Sequence, residues 1–373
     1  AVFPARTLGP SAAVRRFAAY LEGTSYALGW AFGVAVSAWY VANYLGAIPE
    51  LAGVRNYTVA FGLLAILASL GITLAGIDVT KRTNLVLTAL VLAVLTVVAG
   101  VGLANGDPST ATPFVTGSET QFFAAVGVAI TGYGAWTVVP AAAGEVKNPN
   151  WTIPRAIVGS LLLTTAFYTV IVLALHLTVA PSAFQRGNLV MVAPLSAVVV
   201  DAGLPLFAHY LLPVAALVAI FTTMLVGMTS ASRVLAALAE RNLFPSAFAA
   251  TSDQTNAPYV ALCAVAVAAA AVIVSKQVIG GIVLAALVGT VLPYAINIAS
   301  FVGLRVYRGD ISAPFRAPGG LVTAVVAFGF LVLLAVALSI DYPVAALLAV
   351  SALLAGYALQ YTFGDGPIVD QST

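Results

Sequence analysis

The stretch ITGYGAWTVVPAAAGEVKNPNWTIPRAI, residues 130–157, forms the second half of an apolar run that breaks the rules of a membrane helix. Gly132, Gly134 and Pro140 interrupt it at what should be membrane depth, and it leaves the apolar phase through Glu145 and Lys147 into Pro149 and Pro154. Proline gives no N–H to the helical ladder, and glycine loses the most backbone entropy on ordering. Hydrocarbon offers no partner to the backbone groups so freed. Such a break survives only where it is buried in protein or lines a watery cavity.

Outward from this segment, composition fixes the class. Mean hydropathy is +1.05, with 61% hydrophobic and 8% charged residues, where a soluble domain carries about 25% charged residues. Ten intervals free of Asp, Glu, Lys and Arg are at least 22 residues long: 23–49, 56–77, 83–106, 120–144, 156–185, 202–232, 254–275, 277–304, 317–340 and 342–364. Each is long enough for one span of about 20 residues. Val, Ala and Leu run consecutively rather than alternating, which excludes barrel strands. The expectation is an all-α polytopic membrane protein with ten transmembrane helices.

The basic residues orient it. Arg6, Arg15, Arg16, Lys81, Arg82, Lys147, Arg155, Arg233, Arg241, Arg305, Arg308 and Arg316, 12 of the 15, fall on one side of a ten-span topology; Arg55, Arg186 and Lys276 fall on the other. The positive-inside rule makes the first side cytoplasmic and places both ends of the chain there, in a multi-pass protein of the cell membrane. A net charge of +2 gives no sign of nucleic acid. Cys263 is the only cysteine, so no internal disulfide forms.

Five segments in order resemble an amino acid permease of the amino acid–polyamine–organocation superfamily: GEVKNPNWTIPRA (144–156), SRVLAALAERNLFP (232–245), TVLPYAINIASFVGLR (290–305), APFRAPGG (313–320) and VFPARTLGP (2–10). The resemblance covers essentially all of residues 1–373 as a single transmembrane permease domain. It implies a LeuT-type inverted-repeat fold in which the ten spans are family helices three to twelve. On that reading the domain is N-terminally truncated by one helix and most of a second, roughly 50 to 70 residues, and the chain alone is expected to fold poorly and transport nothing. The resemblance also makes the broken helix, about 120–144, the unwound helix of the second repeat. A cytoplasmic loop, 145–155, follows it. The stretch of about 180–206 holds an apolar interval too short to span and reads as an extracellular lid.

An unwound turn exposes N–H groups on one half-helix and C=O groups on the other. The first attract a carboxylate and the second an ammonium or a cation, a pair of poles that matches an amino acid. The expected substrate-binding turn is Gly132, Tyr133, Gly134, Ala135, Trp136 and Thr137, with Tyr133 and Trp136 as aromatic walls. The alternatives are helix-packing glycines and an ordinary packing Trp. Many family members place an acid after this aromatic, where this chain has Thr137. With no acid between Gln121 and Gly144, a neutral or small apolar amino acid is expected rather than arginine or a polyamine.

Gly33, Ser37 and Tyr40 share one helical face and are expected to line the site, the alternative being a helix-packing face. Thr290 and Tyr294 match family positions facing substrate. Thr229 and Ser230 form a possible cation site, against the alternative of hydroxyls bonded to their own helix. Glu145, Arg155 and Arg233 form a possible inner gate. Glu22 and Glu50 read as interfacial, and His176 and His209 as shallow. No cofactor is expected beyond possible Na+ or H+ coupling, and no metal site. The expected partners are the amino acid substrate and the lipid bilayer. Two isolated histidines, one cysteine and no paired acids within spans do not make an enzyme's site. Rival readings are a transporter of another metabolite, cation or polyamine on this fold, or a membrane receptor or channel.

Overall fold

Helix is the only regular structure among the described residues, as hydrocarbon demands of any chain that cannot close a barrel. A computed structural model describes residues 11–76, 81–112, 117–134, 146–180, 193–307 and 318–363. Its main helices are α1 (Ala12–Leu45), α2 (Thr58–Leu74), α3 (Lys81–Asn105), α4 (Glu119–Ala129), α5 (Pro149–Thr178), α6 (Pro194–Asp201), α7 (Leu212–Ala239), α8 (Tyr259–Val274), α9 (Val278–Ala286), α10 (Leu292–Tyr307), α11 (Gly320–Asp341) and α12 (Pro343–Phe363).

Seven described helical stretches are long and apolar enough to cross a membrane. Ten were expected, and the three shortfalls have separate causes. α1 runs 34 residues without interruption, but its Thr, Ser, Tyr, Trp and Gly dilute the hydropathy. α4 ends after 11 residues, and residues 135–145 lie outside the described set. α8 is apolar but only 16 residues long. The interval 277–304 forms one stretch, yet a π-helical turn, Leu287–Val291, separates α9 from α10. Pro293 has no N–H to give the preceding turn, so the ladder is reset just upstream of it. A second π turn, Phe207–Leu211, precedes α7 and its Pro213 for the same reason.

Two boundaries differ from expectation. The loop expected at 145–155 is already helical from Pro149, with Asn148 in the left-handed region at φ 52°. Proline at the first helical position wastes no hydrogen bond, whereas Pro154 stands inside the helix and leaves the Asn150 carbonyl without its ladder donor. Within the segment expected as a lid, about 180–206, residues 194–201 form the short helix α6, and 181–192 lie outside the described residues.

α1 is the hub. It packs on α2, α7, α8, α9, α10 and the π turn 287–291, and its Ala19, Ala31, Ala35, Ala38 and Ala42 are all but inaccessible. Membrane helices gain little from the hydrophobic effect against each other, so close approach through small residues carries their association. The tightest approach is at Gly29, midway along α1, against Gly289 of the π turn, where a Cβ on Gly289 would stand 2.6 Å from the Gly29 Cα. One core joins α1, α2, α7 and α8. Another joins Phe32 of α1 to α4, α9, α11 and α12. Large apolar side chains instead cover the periphery: Leu162, Leu163 and Val322 are about 70% exposed, which is the surface lipid requires and water does not tolerate over such an area.

Candidate functional site

α4 begins with a reciprocal capping box: Ser118 Oγ accepts from Gln121 N–H at 3.2 Å, and Gln121 Oε1 accepts from Ser118 N–H at 3.0 Å. It loses α-helical pitch at Ala129, and residues 130–134 tighten into a 3-10 turn. Gly132 and Gly134 stand inside this turn, where their low helix propensity weakens continuation. Ala135, Trp136, Thr137 and Glu145 lie outside the described residues.

A break at this depth must account for its carbonyls. That of Tyr133 is met by α10: the Tyr294 hydroxyl donates to Tyr133 O at 2.5 Å. The Tyr133 side chain turns the other way, its hydroxyl donating to Thr165 Oγ1 of α5 at 3.1 Å. Its ring meets Tyr168 edge-on, with centroids 5.8 Å apart. Gly134 faces the π turn, where a Cβ on it would lie 3.4 Å from Thr290 Oγ1. Thr290 itself is buried, 5% exposed. Two distorted turns thus face each other, one carrying Tyr133 and Gly134 and the other leading from Thr290 to Tyr294. Between them lie aromatic rings, hydroxyls and backbone not committed to a regular ladder, an arrangement suited to a small zwitterion.

The α1 residues are placed differently. Gly33 and Ser37 are half-exposed, and a Cβ on Gly33 would meet nothing within 4 Å. Tyr40 lines a cavity of about 400 Å³ with Tyr44, Val94, Leu195, Leu212 and Ala215. None of the cavity's lining residues belongs to the 130–134 turn. Thr229 and Ser230 are half-buried on α7. Thr222 and Thr223, one to two turns earlier, bond back to Ala219 O at 2.9 and 2.8 Å. The expected gate is not assembled among the described residues: the Arg155 guanidinium stacks over Trp151 of its own helix, 4.9 Å from the ring centre, and Arg233 is exposed on α7.

Several partners escaped the sequence reading. Thr165 and Tyr168 sit in a plain apolar run with no local signal. His176 contacts Ala111 O at 3.2 Å and ties the end of α5 to the short helix Pro108–Ala111. Glu50 accepts from the Tyr210 hydroxyl at 2.6 Å, in keeping with an exposed edge position. Glu22, also read as interfacial, lies on α1, and Asn297 of α10 donates to its Oε1 at 3.0 Å. An Asn four residues after Pro293, on the helix facing α1, is the only trace of this pair in the sequence.

Residues 10–358 match the family described as "Amino acid permease". Among curated proteins, the chain is 26% identical over 265 residues to cationic amino acid transporter 5 of Arabidopsis thaliana, covering 68% of this chain and 46% of that protein. It is 28% identical over 250 residues to the branched-chain amino acid permease BcaP of Bacillus subtilis, covering 65% and 51%. A shorter match of 58 residues, at 41% identity, joins it to the serine/threonine exchanger SteT of Bacillus subtilis, covering 16% and 13%. The chain spans about half the length of the curated relatives it matches, from 46% to 63% for the first five.

Proposed function

The chain belongs to the amino acid permease family of the amino acid–polyamine–organocation superfamily, and from that premise we propose that it carries neutral or small apolar amino acids across the cell membrane by alternating access. The observation that carries this reading is the pair of facing distorted turns, with the Tyr294 hydroxyl on the Tyr133 carbonyl and Thr290 against Gly134. We read the bundle as a LeuT-type fold in which 130–134 begins the unwound segment of an inverted repeat. Ends of half-helices at mid-membrane hold the carboxylate and ammonium of the substrate, and the aromatic rings fit an apolar side chain. The relatives named above handle cationic, branched-chain and hydroxylated amino acids; their common element is the zwitterion that this geometry fits.

The described part of the turn offers no acid for a second positive charge, and an unpaired buried cation costs several kcal/mol. In proteoliposomes of the full-length protein, alanine, leucine and serine are therefore expected to compete with a labelled neutral amino acid, while arginine and putrescine do not. Strong inhibition by putrescine would overturn the neutral selectivity. Absence of saturable uptake by the full-length protein would overturn transport itself.

Orientation belongs to the same proposal, with the α1 start and the α10 end facing the cytoplasm. The motivating feature is the 12-to-3 split of basic residues. A cysteine replacing Arg82 or Arg308 is expected to react with an impermeant maleimide only from the cytoplasmic face. Labelling from outside at either position refutes the topology.

A further inference from the structure

Basic residues are sparse on the side of the bundle where α1 ends: Arg55, Arg186 and Lys276 are all that the topology puts there. The fold brings two of them to one cavity. Arg55 comes from the short 3-10 helix Pro49–Tyr57 between α1 and α2, and Lys276 stands just past the end of α8. Both line a cavity of about 620 Å³, together with Trp39 of α1, Tyr57, Val59 of α2 and Val274 of α8.

Each cation is placed by its own backbone. The Thr58 hydroxyl donates to Arg55 O at 2.8 Å, and the Arg55 stem lies along Gly46, where a Cβ would stand 3.0 Å from Nε. The Lys276 N–H donates to Ile273 O at 3.1 Å, and its φ of 58° turns the chain out of α8. Neither side chain is ion-paired among the described residues, and Arg55 Nε is buried with no hydrogen-bond partner among them. α2 and α8 contain no acid. Glu50, the only acid of the short helix, accepts instead from the Tyr210 hydroxyl at 2.6 Å. Two positive charges therefore share a cavity whose lining supplies no negative one, and like charges so gathered repel unless an anion joins them.

The setting selects the anion. Tyr57 and Val274 are exposed, and Trp39 and Val59 are half-buried, so the wall beside the charges is aromatic and aliphatic. α2 begins at Thr58 and α8 ends at Val274. The cavity thus lies at the ends of apolar helices, the level at which lipid headgroups sit and Trp and Tyr collect. Guanidinium and ammonium groups at that level attract lipid phosphates. We propose that this cavity binds the headgroup phosphate of an anionic phospholipid of the outer leaflet, with Arg55 and Lys276 on the phosphate and the acyl chains along Val59 and Val274. A lipid held there ties together the ends of three helices that share one core, α1, α2 and α8. The site depends on the membrane setting and not on what the bundle carries; only the choice of leaflet follows the orientation proposed above.

The test counts bound lipid on the purified full-length protein in neutral detergent, by native mass spectrometry at rising lipid concentration. Phosphatidylglycerol is expected to fill a saturable site. Arg55→Gln and Lys276→Gln are each expected to raise its half-saturation concentration roughly tenfold, the scale of one lost hydrogen bond to a charged group. Phosphatidylcholine, whose own ammonium would meet the two cations, should bind at least about tenfold more weakly than phosphatidylglycerol. Equal retention of the two lipids, or unchanged half-saturation in the variants, overturns the proposal. Inorganic phosphate at the lipid's concentration should leave the lipid in place; displacement by it would assign the cavity to a free anion and overturn the lipid reading. Should Arg55→Gln fail to fold, Lys276→Gln, at an exposed position, decides alone, and an unchanged value there refutes the site.

Discussion

Valine in place of Gly289 is expected to leave little assembled protein in the membrane. A Cβ there would lie 2.6 Å from the Cα of Gly29, and one on Gly29 would approach the Gly289 Cα more closely still. Both obstacles are backbone atoms, so no rotamer change relieves the clash. The helices must separate, and α1 would lose contact with the π turn at the centre of the hub. Overpacking in a close-packed interior costs about 1–3 kcal/mol even where side chains yield. Here they cannot, and helix association in lipid depends on this kind of approach. The measurement is the monodisperse fraction after detergent extraction, with its Tm. Gly33→Ala serves as control, because its added methyl meets nothing within 4 Å. A Gly289→Val protein with wild-type yield and Tm would show that the crossing is not essential.

Valine in place of Gly134 is expected to abolish transport while sparing the fold. The new Cβ would sit 3.4 Å from Thr290 Oγ1, ordinary contact on one side, but the two further methyls crowd the space beside the Thr290 hydroxyl. Crowding worth about 1–3 kcal/mol against bound substrate corresponds to a loss of roughly ten- to a hundredfold in affinity. Extraction and Tm should stay near wild type, since Gly134 belongs to none of the buried core clusters among the described residues. Unchanged uptake would remove the turn from the substrate path. Loss of the fold together with uptake would mean that the glycine serves helix packing, the alternative that its sequence leaves open.

The comparison of sequence with structure turns on particular residues. The charge-free intervals placed the helices because hydrocarbon excludes charge over a fixed thickness, a constraint that acts along the chain and so appears in it. The end of α-helix near Ala129 was legible for the same reason, through Gly132 and Gly134. The start of α5 at Pro149 was misread as loop because prolines near a helix N-terminus look like breakers until the cap is known. Spacing put Gly33, Ser37 and Tyr40 on one face, and the family resemblance assigned that face to the site. Spacing gives a helix face but not the elements it meets, and Tyr40 borders a cavity it shares with α3, α6 and α7.

Glu22 shows the same limit from the opposite direction. Its place at the edge of a charge-free interval is visible in the chain, but the Asn297 amide that reaches it from α10 is not. By itself the sequence determined the class, the family and the weak point in the span beginning at residue 120. These depend on hydropathy and backbone chemistry, which are local. Only the tertiary structure decided that the Tyr294 hydroxyl meets the Tyr133 carbonyl, that Gly29 meets Gly289, and that the Asn297 amide meets Glu22. Those pairings join residues 161, 260 and 275 positions apart. They follow from how helices cross when small residues let backbones approach, and no pattern within one helix encodes its neighbour.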